Sequence, residues 1–264
     1  MTEFPAVETF SLVKQFGDFV AVDHIDLQVN RGSFFGFLGP NGAGKSTTIK
    51  MLTGLLAPTS GKLRVLGFDI SEQPLEVKRR IGVVPEDLNL FERLTGAEML
   101  AFTGRMYGLR SEEIAHRSGE LLELMELQDE PRKLIVEYSH GMKKKLSLAC
   151  ALIHRPEILF LDEPFEGVDA IASRTLKDLL MRLTARGLTV FLTSHVLEIV
   201  ERLCSDIAII SQGKLLASGS LDELRKGIRM EGSWDGPVSL EEYFIHVVGG
   251  DRGYGKDEML EWLV

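Results

Sequence analysis

Two hydrophobic periods alternate along this chain, and the places where one gives way to the other divide it into segments. From Val22 to Val29, Ile25, Leu27 and Val29 alternate with Asp26 and Gln28, the two-residue period of a half-buried strand. An earlier run, Val7 to Phe16, is also strand-like, so the chain is expected to open with antiparallel β structure. Phe34 to Leu38 reads as a buried strand, Lys45 to Leu55 as a helix, and Lys62 to Ile70 as another strand.

From about Arg93 to Arg155 the pattern becomes helical, with almost no β-branched clusters. Thr95 and Glu98 form a capping-box spacing ahead of an apolar helix. Ser111 is placed to cap the next helix, with Leu121, Leu122, Leu124 and Met125 as its inner face. A last helix begins near Gly141 and stops before Pro156, whose ring opposes continuation. The strand and helix alternation then returns: Ile158 to Leu161 as a strand, Ala172 to Thr184 as a helix, and Thr189 to Thr193 and Ile207 to Ile210 as strands. This predicts an α/β fold with a parallel-sheet core, an N-terminal antiparallel β subdomain and an inserted helical subdomain. The expected organisation is a domain over 1–229, with core 1–92 and 156–229 and helical subdomain 93–155. A C-terminal appendage, 230–264, has no role assigned.

Composition narrows the partners. The 264 residues suffice for a core without disulfides or metals, and 44% of them are apolar. Acidic residues number 39 against 30 Lys and Arg, a formal charge of -9 that repels a polyphosphate backbone, so no nucleic-acid partner is expected. Cys150 and Cys204 lie far apart in apolar stretches, a spacing that suits neither a metal site nor a disulfide framework, and are expected to be buried thiols. Met1 to Pro5 has neither the basic start nor the apolar core of a secretory signal. The longest apolar run, Leu146 to Ile153, falls short of the roughly 18 to 20 residues that span a bilayer. The lysines Lys143 to Lys145 are read as a solvated helix face.

The chemistry concentrates in three places. Gly39-Pro40-Asn41-Gly42-Ala43-Gly44-Lys45-Ser46-Thr47 follows a strand and opens a helix. At that spacing glycines turn backbone N–H groups onto phosphate oxygens, Lys45 reaches the β- and γ-phosphates, and Ser46 offers a hydroxyl to Mg²⁺. Asp162 and Glu163 end an apolar strand, where open α/β sheets place ligands. Asp162 suits Mg²⁺, and Glu163 suits a general base or polariser of the attacking water. His195 follows the strand Thr189 to Thr193 and is expected to project toward the same crevice.

Taken in order, these motifs resemble the nucleotide-binding subunit of an ABC transporter, over about Val7 to Leu224. The resemblance implies a P-loop NTPase (RecA-like) core, ATP and Mg²⁺ as cofactors, and ATP hydrolysis coupled to transport. It implies further roles residue by residue. Phe16 matches the aromatic residue that stacks on adenine. Ser139-His140-Gly141-Met142 falls where the family's signature belongs, so that Ser139 and Gly141, with Met142, would meet the ATP of a second subunit. Asp169 matches the loop joining the two sites of the dimer, and His195 a contact to the γ-phosphate and water. The form of the signature resembles the ABC-2 type branch, which is largely exporting. Glu86 stands where the family has a Gln that touches Mg²⁺; a carboxylate there adds negative charge beside the triphosphate. The implied partners are a second nucleotide-binding subunit and a polytopic permease docking near Glu86 to Leu94, through Leu88, Leu90 and Phe91. The implied location is the cytoplasmic face of a membrane. The rival class, a soluble ABC-type ATPase of ribosomes or chromosomes, usually carries tandem ATPase domains, zinc modules or long coiled coils, none of which the sequence displays.

Overall fold

The computed structural model describes residues 4–129, 131–224 and 239–249. Two sheets are stacked. The first is antiparallel, in the order β2 (Phe19–Val29), β1 (Val7–Phe16), β4 (Ser60–Val65), β5 (Phe68–Asp69). The second contains β3 (Phe34–Leu38), β6 (Ile81–Val84), β7 (Ile158–Asp162), β8 (Thr189–Ser194), β9 (Asp206–Ser211) and β10 (Lys214–Ser220), ordered β10-β9-β3-β8-β7-β6. Its four pairings from β9 to β6 are all parallel, and β10 adds an antiparallel edge.

Helices complete the layers: α1 (Lys45–Leu52), α2 (Pro74–Lys78), α3 (Gly96–Met106), α4 (Ser111–Leu124), α5 (His140–Leu152), α6 (Ala170–Thr184), α7 (Leu197–Leu203) and α8 (Leu240–Gly249). The parallel sheet is covered on both faces, so β3, β7 and β8 are buried at every position and read as continuous rather than alternating apolar runs. One face packs against the antiparallel sheet. There Phe191 is ringed by Phe35, Phe37 and Phe160 at centroid distances of 5.4, 5.6 and 5.5 Å, with Val7, Leu12 and Ile25 behind them. On the other face Leu159, Leu161, Val190 and Leu192 meet Leu146, Leu148, Leu176 and Leu180 from α5 and α6.

The helical stretch α3 to α5 lies between β6 and β7. Thr95 caps α3, accepting from the Glu98 N–H while the Glu98 carboxylate accepts from the Thr95 N–H, so the expected capping box forms. α5 returns to the sheet and lies directly on β6. The approach is close enough that a Cβ on Gly82 would sit 2.4 Å from the Ala151 carbonyl oxygen and 2.5 Å from Leu159 Cδ2.

Several expectations need correction. Lys62 to Ile70 is not one strand but a hairpin: Leu66 and Gly67 take φ of 55° and 88°, and Arg64 and Val65 pair back with Asp69 and Phe68. The apolar run through Leu66 conceals that turn. α1 ends at Leu52 rather than Leu55, because Gly54 is left-handed at φ 68°. Ser111 is the first residue of α4, after Arg110 at the N-cap, and makes no capping bond. The buried line of α4 runs through Ile114 and Ser118 to Met125, so Leu124 falls off it and is exposed. The lysines of α5 are not a solvated face: Lys144 and Lys145 are buried, and all three ammonium groups have partners. The elements α2, β6, α7 and β10 give no clear sequence period of their own. Of the expected appendage, 239–249 contains α8, packed on α7 and β10, and the rest lies outside the described residues.

Candidate functional site

At the end of β3 the chain turns tightly and enters α1. Gly39 is buried against β9, where a Cβ would lie 2.3 Å from the Ile210 carbonyl oxygen. Gly44, at φ 109°, would place a Cβ 2.5 Å from the Ala21 carbonyl oxygen. Both positions are therefore restricted to glycine by contact, and Gly44 by its backbone as well. Thr48 anchors the loop by donating to the Gly44 carbonyl at 2.9 Å. Lys45 is buried and folds back over the turn, donating to the Gly39 carbonyl at 2.7 Å.

The loop borders a cavity of about 410 Å³. Pro40, Asn41, Gly42, Gly44, Lys45, Ser46 and Thr47 line it on one side, and Glu86, Glu163 and Glu166 on the other. Ala43 is buried beneath, holding Gly213 through its carbonyl at 2.9 Å. The strand order explains the meeting. β7 and β8 lie side by side with β3, so their carboxyl ends deliver Asp162, Glu163 and His195 to the edge from which the loop springs.

Glu163 is the centre of the charge network. Its Oε1 is buried and without a hydrogen bond of good geometry, yet lies 3.3 Å from Lys45 Nζ and 3.1 Å from His195 Nδ1. Its backbone is left-handed at φ 46°, a conformation that costs a residue with a Cβ about 1–2 kcal/mol. Thr193, wholly buried, joins the two carboxylates: it donates to Asp162 Oδ1 at 2.6 Å and accepts from the Glu163 N–H at 3.1 Å. Glu86 is held above the ordinary carboxylate range, first by burial and then by the negative charges of Asp162, Glu166, Asp87 and Glu163.

The donor atoms near the loop are mostly hard. Ser46, Glu86 and Asp162 offer oxygen alone, the kind of donor that suits Mg²⁺. Glu163, Glu166 and His195 bring one ligand atom each within 4.8 Å of the others.

Other expected site residues are elsewhere. Phe16 is half exposed, paired in register with Phe19, and carries Lys14 Nζ 5.0 Å above its ring. It does not line the cavity, whereas Phe19 and Ala21 do. Ser139 is the N-cap of α5, its Oγ accepting from the Met142 N–H at 3.2 Å. Gly141 is buried beside Asp169, with 3.4 Å from an ideal Cβ to Asp169 Oδ2, and Asp169 caps α6 by accepting from the Ile171 and Ala172 N–H groups. Neither Ser139, Gly141, Met142 nor Asp169 reaches the cavity beside Lys45. Thr193, Glu166 and Phe19 were not singled out from the sequence. For Glu166 a signal existed, a third carboxylate three residues after Glu163; for Thr193 there was none, since a threonine inside a strand is ordinary.

With the geometry in place, similarity to known proteins is informative. The family model described as ABC transporter matches residues 22–166. The chain is 39% identical over 221 residues to the bacitracin transport ATP-binding protein BcrA of Bacillus licheniformis, covering 83% of this chain and 71% of that protein. It is 40% identical to the daunorubicin/doxorubicin resistance ATP-binding protein DrrA of Streptomyces peucetius, covering 84% and 68%. The probable multidrug ABC transporter ATP-binding protein YbhF of Escherichia coli K12 is 38% identical across 92% of this chain, but the chain spans only 41% of its length. A solved ATP-binding subunit of an ABC transporter superposes with a TM-score of 0.83 at 30% identity, covering 92% of this chain and 99% of that one.

Proposed function

The chain belongs to the ABC transporter family, and from that membership we propose that it binds and hydrolyses ATP to drive export through a separate membrane subunit. The carrying observation is the convergence of Lys45 and His195, from two other strand ends, on the carboxylate of Glu163, which with Lys45 lines the cavity floored by the glycine loop. Similarity to export and resistance proteins supports the direction.

In this reading the backbone N–H groups from Gly42 to Ser46 hold the phosphates at the positive end of α1. Lys45 exchanges its carbonyl contacts for phosphate oxygens. Ser46, Asp162 and Glu86 would hold Mg²⁺, which neutralises phosphate charge when bound. Glu163 takes the proton of the attacking water, and His195, half exposed at the rim, orients that water and the terminal phosphate. Thr193 fixes both carboxylates and keeps their roles apart, with Asp162 accepting its hydroxyl proton and Glu163 aligned through its N–H. Adenine stacks on Phe16, aided by Phe19 across the strand pair.

Ser139, Gly141 and Met142, at the N-terminal end of α5 and away from their own cavity, contact the ATP of a second subunit, with Asp169 joining the two sites. A composite site of this kind makes a lone chain a poor ATPase. Residues 93–155 act as the helical subdomain, 1–92 and 156–229 as the core, and 230–264 as an appendage. The permease docks beside Phe91, which is exposed and packs edge-on to Phe102 at 5.1 Å, whereas Leu88 and Leu90 turn partly into the core. No helix among the described residues is long and apolar enough to cross a membrane; in this reading the chain sits at the cytoplasmic face, attached through that partner.

The decisive experiment is Glu163→Gln, assayed for ATP affinity and steady-state turnover. Binding is expected to persist while turnover falls by roughly 10² to 10⁴, the span of a positioned acid–base group. Unchanged turnover, or loss of binding with it, would refute the assignment.

A further inference from the structure

Lys144 is a buried cation that the proposed mechanism leaves unused. It sits in the second turn of α5, 2% exposed, and its Nζ donates to the backbone carbonyl of Glu163 at 3.1 Å. Its stem runs through an apolar sleeve of Val84, Leu148, Leu161 and Phe165 that leaves only about 10 Å³ of free space. Such a side chain cannot swing to water; burial holds its ammonium below the ordinary lysine range, opposed by the negative charges of Glu166, Glu86, Asp162 and Glu163.

Two contacts meet at one residue. Glu163 has the unfavourable left-handed backbone, and it is gripped from both ends, by Thr193 at its N–H and by Lys144 at its carbonyl. The same helix that carries Lys144 begins at Ser139 and Gly141.

We propose that Lys144 is a positioning residue, holding Glu163 in its left-handed turn and thereby tying the Ser139 helix to the hydrolytic centre. The inference rests on the ATPase reading above and adds to it a residue that touches neither nucleotide nor water.

The test uses the full chain with two variants: Lys144→Met, which keeps the stem and removes the ammonium, and Lys144→Arg. ATP affinity is read by titration, turnover at saturating ATP, and folding by thermal melting. Lys144→Met is expected to leave ATP affinity nearly unchanged and to lower kcat roughly 10- to 100-fold, the effect of one lost charge-assisted hydrogen bond. Lys144→Arg should recover part of kcat. An unchanged kcat in Lys144→Met would overturn the proposal. So would a joint fall of kcat, affinity and melting temperature without recovery by arginine. Wild-type protein that neither binds nor hydrolyses ATP would instead refute the ATPase reading itself, and this inference with it.

Discussion

Thr193→Val isolates the polar contribution of one hydroxyl to the centre of the fold, because valine keeps the shape and removes only the oxygen's bonds. Thr193 has no exposed surface, so water cannot replace what is lost. The substitution strips Asp162 Oδ1 of its 2.6 Å donor and the Glu163 N–H of its 3.1 Å acceptor. A buried polar group left without a partner costs about 1–3 kcal/mol, more when it is charged, so the two together predict a loss of about 2–5 kcal/mol. Against a typical domain stability of about 5–15 kcal/mol that is a large fraction. Equilibrium urea unfolding of the nucleotide-free chain reads it as a lower midpoint at similar slope. Thr193→Ser is the control: it keeps the hydroxyl, loses one methyl, and should cost about 1 kcal/mol. A valine variant within about 0.5 kcal/mol of wild type, or a serine variant as unstable as the valine one, would show that the hydroxyl does not organise the two carboxylates.

Two further expectations concern the thiol and the assembly. Burial pushes the Cys150 thiol from its ordinary 9.0 up to about 11, with a smaller opposing effect from Thr103. Between those values the unfolded chain has lost the proton that the folded chain keeps, so stability falls as pH rises. The share due to this group is about 2 kcal/mol by pH 11, and Cys150→Ala should flatten the decline across that window in urea titrations; an identical slope in the variant would remove the thiol from the account. ATPase activity per molecule should rise with protein concentration because Ser139 and Gly141 serve a second copy, and a flat specific activity down to a demonstrated monomer would contradict the shared site.

What could be read from the sequence follows from how local each signal is. The glycine loop, β3 and the strand ending in Asp162 and Glu163 are contiguous, and their boundaries in the structure agree within about a residue. The capping box at Thr95 is equally local. Leu66 and Gly67 misled because an apolar run crosses a two-residue turn without changing hydrophobicity, and the decisive property is a positive φ. Lys143 to Lys145 misled for the opposite reason. Three adjacent charges suggest solvent, but a helix spreads neighbours about 100° apart, so one meets Glu92, one Glu126, and the middle one the Glu163 carbonyl. Glu163 and Thr193 are thirty residues apart, and nothing in the spacing of either announces their bond. Contacts between β7 and β8 are products of strand order, which a single sequence does not encode in any short window.

Gly82 shows how packing alone can imitate the mark of chemistry. It binds nothing and titrates nothing, yet the Ala151 carbonyl stands 2.4 Å from where its Cβ would be. Even an alanine there would have to lever α5 away from β6, and with it the ends that carry Ser139 and Lys144. Across a lineage of related chains such a position would look as frozen as Lys45, and a census of invariant sites would count it among the machinery. It belongs there only as a spacer whose whole contribution is to be small.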